Sequence, residues 1–566
     1  MIRLQPRREE YDVCIIGSGA GGGMAAYMLT RAGARVVMLE AGAKWFARED
    51  APMMRWNYQS QRRGAATPER PFGEFDACDG GWEVDGEPYT NAPGTRFRWF
   101  RARMLGGRTN HWGRISLRFG PDDFRRRSLD GLGDDWPIGY DDIAPWYDEV
   151  DRLIGIFGNR DGLPNDPDGI FQPPPRPRCY ELLIRQACDN LGVTCVANRL
   201  SVITQPLNGR SACHYCGQCN RGCTTNSNFS SPDVLIRPAL ETGNLSLVLD
   251  AMAREITTDG RGRATGVSYI DKLSGEEKHV RARVVVVAAS ACESARLLLN
   301  SKSPLFSNGL ANGSGVIGRY LTDTTGAGVA GFIPKMTEMP PHNEDGAGGA
   351  HVFMPWWLDN TKLDFPRGYH IEVGGGRRMP GYGFMGGIHR YPPGGGYGLQ
   401  LKEDYRRYWG ASVGFAGRGE MVPNEDCYCE VDPNGVVDQF GIPVLRFHWK
   451  WSDYEINQAK HMQETFRGIV EEMGGQVFAT MPTREQDYGL LAGGEIIHEL
   501  GTVRMGNDPR TSALNTNCQA HEVPNLFVAD GASFVSQPDK NPTWTILALS
   551  MRTSEHIADQ MKKGAL

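Results

Sequence analysis

Residues 11–40 read YDVCIIGSGAGGGMAAYMLTRAGARVVMLE, and this run decides the fold. Tyr11 to Ile16 has the length and apolar character of a buried strand. The glycine run Gly17-Ser-Gly19-Ala-Gly-Gly22-Gly follows at once, then a helical pattern from Met24 to Arg31 that stops at Gly33, then a second strand from Ala34 to Glu40. Strand, glycine loop, helix, strand and terminal acid are the dinucleotide fingerprint in its required context. Gly17, Gly19 and Gly22 let the backbone approach a pyrophosphate at a helix N-terminus, and Glu40 sits where a ribose hydroxyl is bound. The motif by itself does not separate FAD from NAD.

Two distant segments favour FAD. Near the C-terminus, Pro524 to Gly531 reads as a strand ending in Asp530-Gly531, followed by Asn541-Pro-Thr543 and an apolar helix from Ile546 to about Gln560. Such a late return to the nucleotide domain is typical of FAD folds. The other segment is Met104-Leu-Gly106-Gly107-Arg-Thr-Asn110-His111-Trp112.

Four cysteines crowd into eleven residues: Cys213, Cys216, Cys219 and Cys223, spaced C-x2-C-x2-C-x3-C. This reads as an iron–sulfur ligand loop, with Gly217 and Gly222 supplying the bends. A zinc knuckle, a pair of disulfides or spare thiols are the other readings; zinc ordinarily draws on two separated pairs, and disulfides between such near neighbours are strained. Neither C-x2-C pair is followed by His, so no covalent haem attaches here. The other nine cysteines are scattered and read as buried thiols.

Composition bounds the remainder. The 566 residues suffice for two or more domains, and the net charge of −6 with no basic stripe argues against a nucleic-acid partner. No apolar run approaches a membrane span, and the N-terminus lacks the apolar core of a secretory signal. By its own sequence the protein is expected in the cytoplasm.

With these residues in view, the chain resembles the glucose-methanol-choline oxidoreductase family. The resemblance runs through the fingerprint, the Gly106-Gly107 loop, Val284 to Ser301 and the block His498 to Thr545. It implies an α/β protein: a Rossmann-like FAD-binding domain (1–120, 205–330 and 480–566, with the cysteine loop at 211–228) and a substrate domain on an antiparallel sheet (121–204 and 331–479). Gly17, Gly19, Gly22, Glu40, Gly106, Gly107, Asn110, His111, Asp530, Gly531 and Thr543 are the expected FAD residues. The chain looks most like the branch of pyranose 2-oxidase, bacterial FAD glucose dehydrogenase and glucoside 3-dehydrogenase. In that dehydrogenase group a C-x5-C-x3-C loop, met here by Cys213, Cys219 and Cys223, holds a [3Fe-4S] cluster. Cys216 departs from the pattern, either as the fourth ligand of a [4Fe-4S] cluster or as a bystander.

Oxidising a secondary alcohol on a flavin requires a base for the hydroxyl proton and a polar group to brace the oxygen. His498 and Asn541 offer these, and they match the His and Asn of the resembled dehydrogenases. His111 matches the histidine that pyranose oxidase bonds covalently to flavin, although relatives with His here do not all form the bond. Aromatic and glycine-rich segments between 331 and 479, among them Phe353 to Trp357, Tyr369 to Glu372 and Val431 to Trp451, suit a sheet roofing the flavin. The helix Asp453 to Met473 has Ser452 and Glu455 as a capping box.

The resulting expectation is FAD-dependent oxidation of a sugar or glycoside ring hydroxyl, with C3 of a glucoside favoured by resemblance. The resemblance further implies a small companion subunit, a cytochrome c acceptor, and periplasmic location if the companion carries the export signal. An oxygen-using oxidase, a flavin-bound lyase and an electron-transfer subunit are the rivals.

Overall fold

A computed structural model describes residues 10–51, 80–217, 219–340, 346–355, 363–377, 387–391 and 396–566. The strand Tyr11–Ile16 is buried at every position, as a strand covered on both faces must be. It pairs in parallel with Val36–Leu39 on one side and Glu277–Val287 on the other, with Val13 opposite both Val36 and Val284. Leu245–Val248 extends the sheet beyond Val36–Leu39, and Leu526–Val528 adds in parallel to Glu277–Val287. The latter strand serves two environments. Its last four residues, Val284 to Val287, are buried on both faces, whereas residues 277–281 alternate and pair antiparallel with Ala264–Asp271.

The fingerprint helix spans Ala20–Arg31, four residues longer at its start than the sequence pattern predicts. Its glycines are the first helical turn, pressed against neighbours that leave no room for a side chain. A methyl at Gly21 would collide with the Ala529 carbonyl, at Gly22 with that of Gly17, and at Gly23 with the Ser231 hydroxyl. The C-terminal helix likewise begins at Thr543, not Ile546, and runs to Lys562. It lies on the fingerprint helix, where Ser550 Oγ donates to Gly21 O at 2.7 Å.

A second sheet is antiparallel throughout, in the order Gln476–Val477, Gly328–Phe332, Ser412–Gly419, Tyr369–Gly375, Val352–Met354, Val196–Ala197. Helices Cys179–Leu191 and Asp453–Glu472 share its core, through Tyr180, Ile184, Ala459, Met462 and Phe466. The expected capping box is present: Ser452 N donates to Glu455 Oε2 at 2.8 Å, and Tyr454 N to Ser452 Oγ at 3.2 Å. One segment departs from expectation. Tyr428–Val431 and Leu445–His448 form a separate three-stranded sheet with Thr90–Asn91. Phe447 stacks on Phe97 with ring centroids 4.5 Å apart, which ties this small sheet to the nucleotide-side core instead of the roof. Trp356, Trp357 and Cys78 lie outside the described residues. Among those described, no helix is long and apolar enough to cross a membrane.

Candidate active site

A cavity of about 410 Å³ opens where the parallel sheet, the Gly106-Gly107 loop and the C-terminal segment meet. Gly17, Gly19, Glu40, Gly107, His111, Asp530, Gly531, Thr543, His498 and Asn541 all line it. Gly22, Gly106 and Asn110 do not; they shape the wall from behind. Gly106 takes φ +89°, a left-handed conformation, with the Pro232 ring packed where a Cβ would project. Asn110 Nδ2 donates to Leu105 O at 2.9 Å and Gly107 O at 3.1 Å, so it braces the loop.

The donor set suits FAD. Open space lies beyond the Cα of both Gly19 and Gly107. The helix Ala20–Arg31 has no side-chain cap and no acid in its first turn, which leaves its N–H groups to a pyrophosphate. The uncapped start of Thr543–Lys562 lines the same cavity. Glu40 is buried, and burial pushes its carboxyl up although Ser18 and Gly42 oppose that. Gly42 N donates to Glu40 Oε1 at 2.7 Å, Ser18 Oγ donates to Oε2, and Ser18 Oγ also accepts from Gly106 N at 2.8 Å. The acid and both glycine loops are thus one bonded unit. Asp530 is fixed similarly, accepting from Ser294 Oγ at 2.6 Å, Ser290 N at 2.9 Å and Ala532 N at 2.8 Å. Burial, with Arg114 and Arg108 nearby, brings the His111 imidazole down to about 3, so it lines the cavity uncharged.

At one end His498 and Asn541 meet across 43 residues of sequence, His498 Nε2 lying 3.4 Å from Asn541 Nδ2. The other imidazole nitrogen, Nδ1, is 2.8 Å from Thr324 Oγ1. The backbone N–H of His498 donates to Asp323 Oδ1 at 3.0 Å. Asp323 is wholly buried, and burial beside Glu499 pushes its carboxyl up to about 7. Burial, reinforced by Arg418, brings His498 down to about 3, which keeps the ring neutral. From the roof, Glu372 Oε1 reaches Asn541 Nδ2 at 3.3 Å, and Arg418 Nη2 pairs with Glu372 Oε2 at 2.9 Å. Burial opposes the charge on Glu372, but Arg418 and His370 outweigh it and hold the carboxyl at about 2. Thr324, Asp323 and Arg418 carried no motif in the sequence. Glu372 was legible there only as one of several polar groups of the roof.

Cys213, Cys216, Cys219 and Cys223 line one small hollow with Thr225, Ser227 and Asn228. Burial, then the neighbouring sulfurs, push the Cys213 thiol up to about 11. Among the described residues, no three His, Cys, Asp or Glu side chains close to the arrangement of a metal site. The expected ligands are therefore gathered but not converged. Arg114, buried beside them, spends its guanidinium on the Asn110, Trp112 and Cys219 carbonyls at 2.8, 2.5 and 3.2 Å. Burial opposes the charge on Arg114, and the Cys219 and Cys223 sulfurs are the neighbours that offset it in part.

Known proteins bear out the fold and the family. Two family models described as GMC oxidoreductase match residues 20–323 and 423–550. The chain is 31% identical to 2-methyl-1,2-propanediol dehydrogenase of Mycolicibacterium austroafricanum, over 97% of this chain and 95% of that one. It is 25% identical to the fructose dehydrogenase large subunit of Gluconobacter japonicus, over 98% of each. A C-glycoside 3-oxidase of Microbacterium trichothecenolyticum is 27% identical over 56% of this chain and 55% of its own length. The crystal structure of pyridoxine 4-oxidase from Mesorbium loti superposes with a TM-score of 0.64, covering 96% of this chain and 99% of that one at 16% identity, a likeness of fold. The chain belongs to the GMC oxidoreductase family, FAD-binding enzymes that act on the CH–OH groups of alcohols and sugars.

Proposed function

We propose that this enzyme oxidises a ring hydroxyl of a sugar or glycoside, C3 of a glucoside in particular, to the keto sugar. The observation that carries the reading is the approach of His498 Nε2 to Asn541 Nδ2 at the end of the FAD cavity. A substrate hydroxyl set between them gives its proton to the neutral His498 Nε2, and its oxygen accepts from Asn541. The C–H bond breaks with its electron pair as the C=O bond forms, and FAD held by the two glycine loops, Glu40 and Asp530 would supply the hydride acceptor. Glu372 and Arg418 form a half-buried ion pair beside the two residues.

Cys213, Cys219 and Cys223, with Cys216 as the candidate fourth, would hold an iron–sulfur cluster, which would supply one-electron transfer to an external acceptor such as cytochrome c. The spacing supports this, as do the shared hollow and the buried Arg114 beside it. A small companion subunit fits the same reading, since one relative is named a large subunit.

The test is anaerobic mixing of the holoenzyme with D-glucose and methyl β-D-glucopyranoside. The flavin absorbance should bleach, NMR should show a 3-keto product, and an artificial acceptor should sustain turnover better than oxygen. Stoichiometric hydrogen peroxide in air would favour the oxidase instead, and an unbleached flavin would overturn the sugar reading.

A further inference from the structure

A side-chain amide presents a donor at one end and an acceptor at the other, and which end of Asn541 faces the reacting oxygen decides whether it helps or hinders. As His498 removes the proton, negative charge develops on that oxygen, and only an N–H can stabilise it. The surroundings of Asn541 choose the hand. Glu372 lies 3.3 Å from Nδ2, and an ionised carboxylate can only accept. It is kept ionised by Arg418 at 2.9 Å on Oε2 and by His370, which sits between Glu372 at 3.5 Å and Asp539 at 3.6 Å. One Nδ2 hydrogen is thereby assigned to Glu372, and the second faces the gap shared with His498 Nε2. Asn541 Oδ1 is buried without a hydrogen-bond partner among the described residues, so no bond competes for the opposite hand.

We propose that Glu372 is a positioning residue that locks Asn541 with its NH2 turned toward the reacting oxygen. The inference rests on His498 and Asn541 being the catalytic pair. It also bears on the His498 tautomer. A bond from Asn541 Nδ2 requires a bare Nε2, which places the imidazole hydrogen on Nδ1, where Thr324 Oγ1 accepts it. One acidic residue of the roof would thus set both the donor and the base.

Anaerobic stopped-flow reduction of the FAD-loaded enzyme by methyl β-D-glucopyranoside tests this on wild type, Glu372→Gln, Glu372→Asp and His498→Ala. Gln can present either end of its own amide to Asn541 and no longer enforces the hand. The limiting reduction rate should fall about 30-fold, with the substrate dissociation constant changed less than about threefold. Asp keeps the charge at shorter reach and should lose about fivefold. Should the Gln variant fail to retain FAD, the Asp variant decides by its own loss of about fivefold in rate at a dissociation constant changed less than about threefold. Wild-type reduction rates in the Glu372 variants overturn the proposal. So does an unchanged rate with a tenfold weaker dissociation constant, which would make Glu372 a sugar ligand. A His498→Ala variant that still reduces its flavin at the wild-type rate would instead overturn the assignment of the base.

Discussion

Thr324→Val tests the support of the base from the side away from substrate. Thr324 is fully buried, its hydroxyl is 2.8 Å from His498 Nδ1, and Val has nearly the same shape. The substitution removes the bond and leaves a buried N–H with nothing to donate to. Such a loss costs about 1–3 kcal/mol, more as the ring gains charge. Only the part that grows as the ring gains charge, about 1–1.5 kcal/mol, slows the step, so at about 1.4 kcal/mol per factor of ten flavin reduction should slow by roughly 5- to 12-fold. The slowing should appear in the limiting rate of anaerobic bleaching, with little change in substrate affinity. Thr324→Ser, which keeps the hydroxyl, should recover most of it. Circular dichroism and FAD content should match wild type, because no wall of the cofactor cavity changes. A Val variant that reduces its flavin at half the wild-type rate or better would refute the claim that this hydroxyl holds the imidazole.

Two other outcomes are expected. His111 is neutral in the fold down to about pH 3 but titrates near 6.5 when unfolded; as pH falls below about 6.5 the unfolded chain binds the proton first, so this residue lowers stability with acid. Denaturant unfolding of His111→Gln should therefore lose up to about 1.4 kcal/mol less per pH unit than wild type over that window, and parallel curves would show that the ring titrates normally in the fold. Anaerobically prepared protein should contain iron and acid-labile sulfide that Cys213→Ser, Cys219→Ser or Cys223→Ser removes and Cys216→Ser retains; iron-free wild type would sink the cluster.

What the sequence made legible was whatever is local. The fingerprint is contiguous, so strand, loop, helix and Glu40 emerge in order. The same holds for the capping box at Ser452 and for the His498 motif. Residues that act through folding were hidden. Thr324 lies 174 positions from His498, and Glu372 lies 169 positions from Asn541. Nothing in either neighbourhood marks them, because their partner is chosen by the stacking of the roof on the nucleotide sheet. The strands Tyr428–Val431 and Leu445–His448 misled for a related reason: their alternation fits any half-buried sheet, and Phe447 selects its layer only by meeting Phe97. The start of the first helix was misjudged because glycine, a poor helix former, is kept there by close backbone approach.

The strand Glu277–Val287 takes Tyr11–Ile16 on one side and Leu526–Val528 on the other, and the last helix covers the first. During synthesis, therefore, the opening glycine loop emerges from the ribosome some five hundred residues before the segment that seals it. A nascent chain made only as far as the roof has half a nucleotide pocket and no catalytic pair, since His498 and Asn541 both follow it. A chain cut before Leu526 is left with an unpaired edge on Glu277–Val287 and an unclad glycine helix for quality control to find.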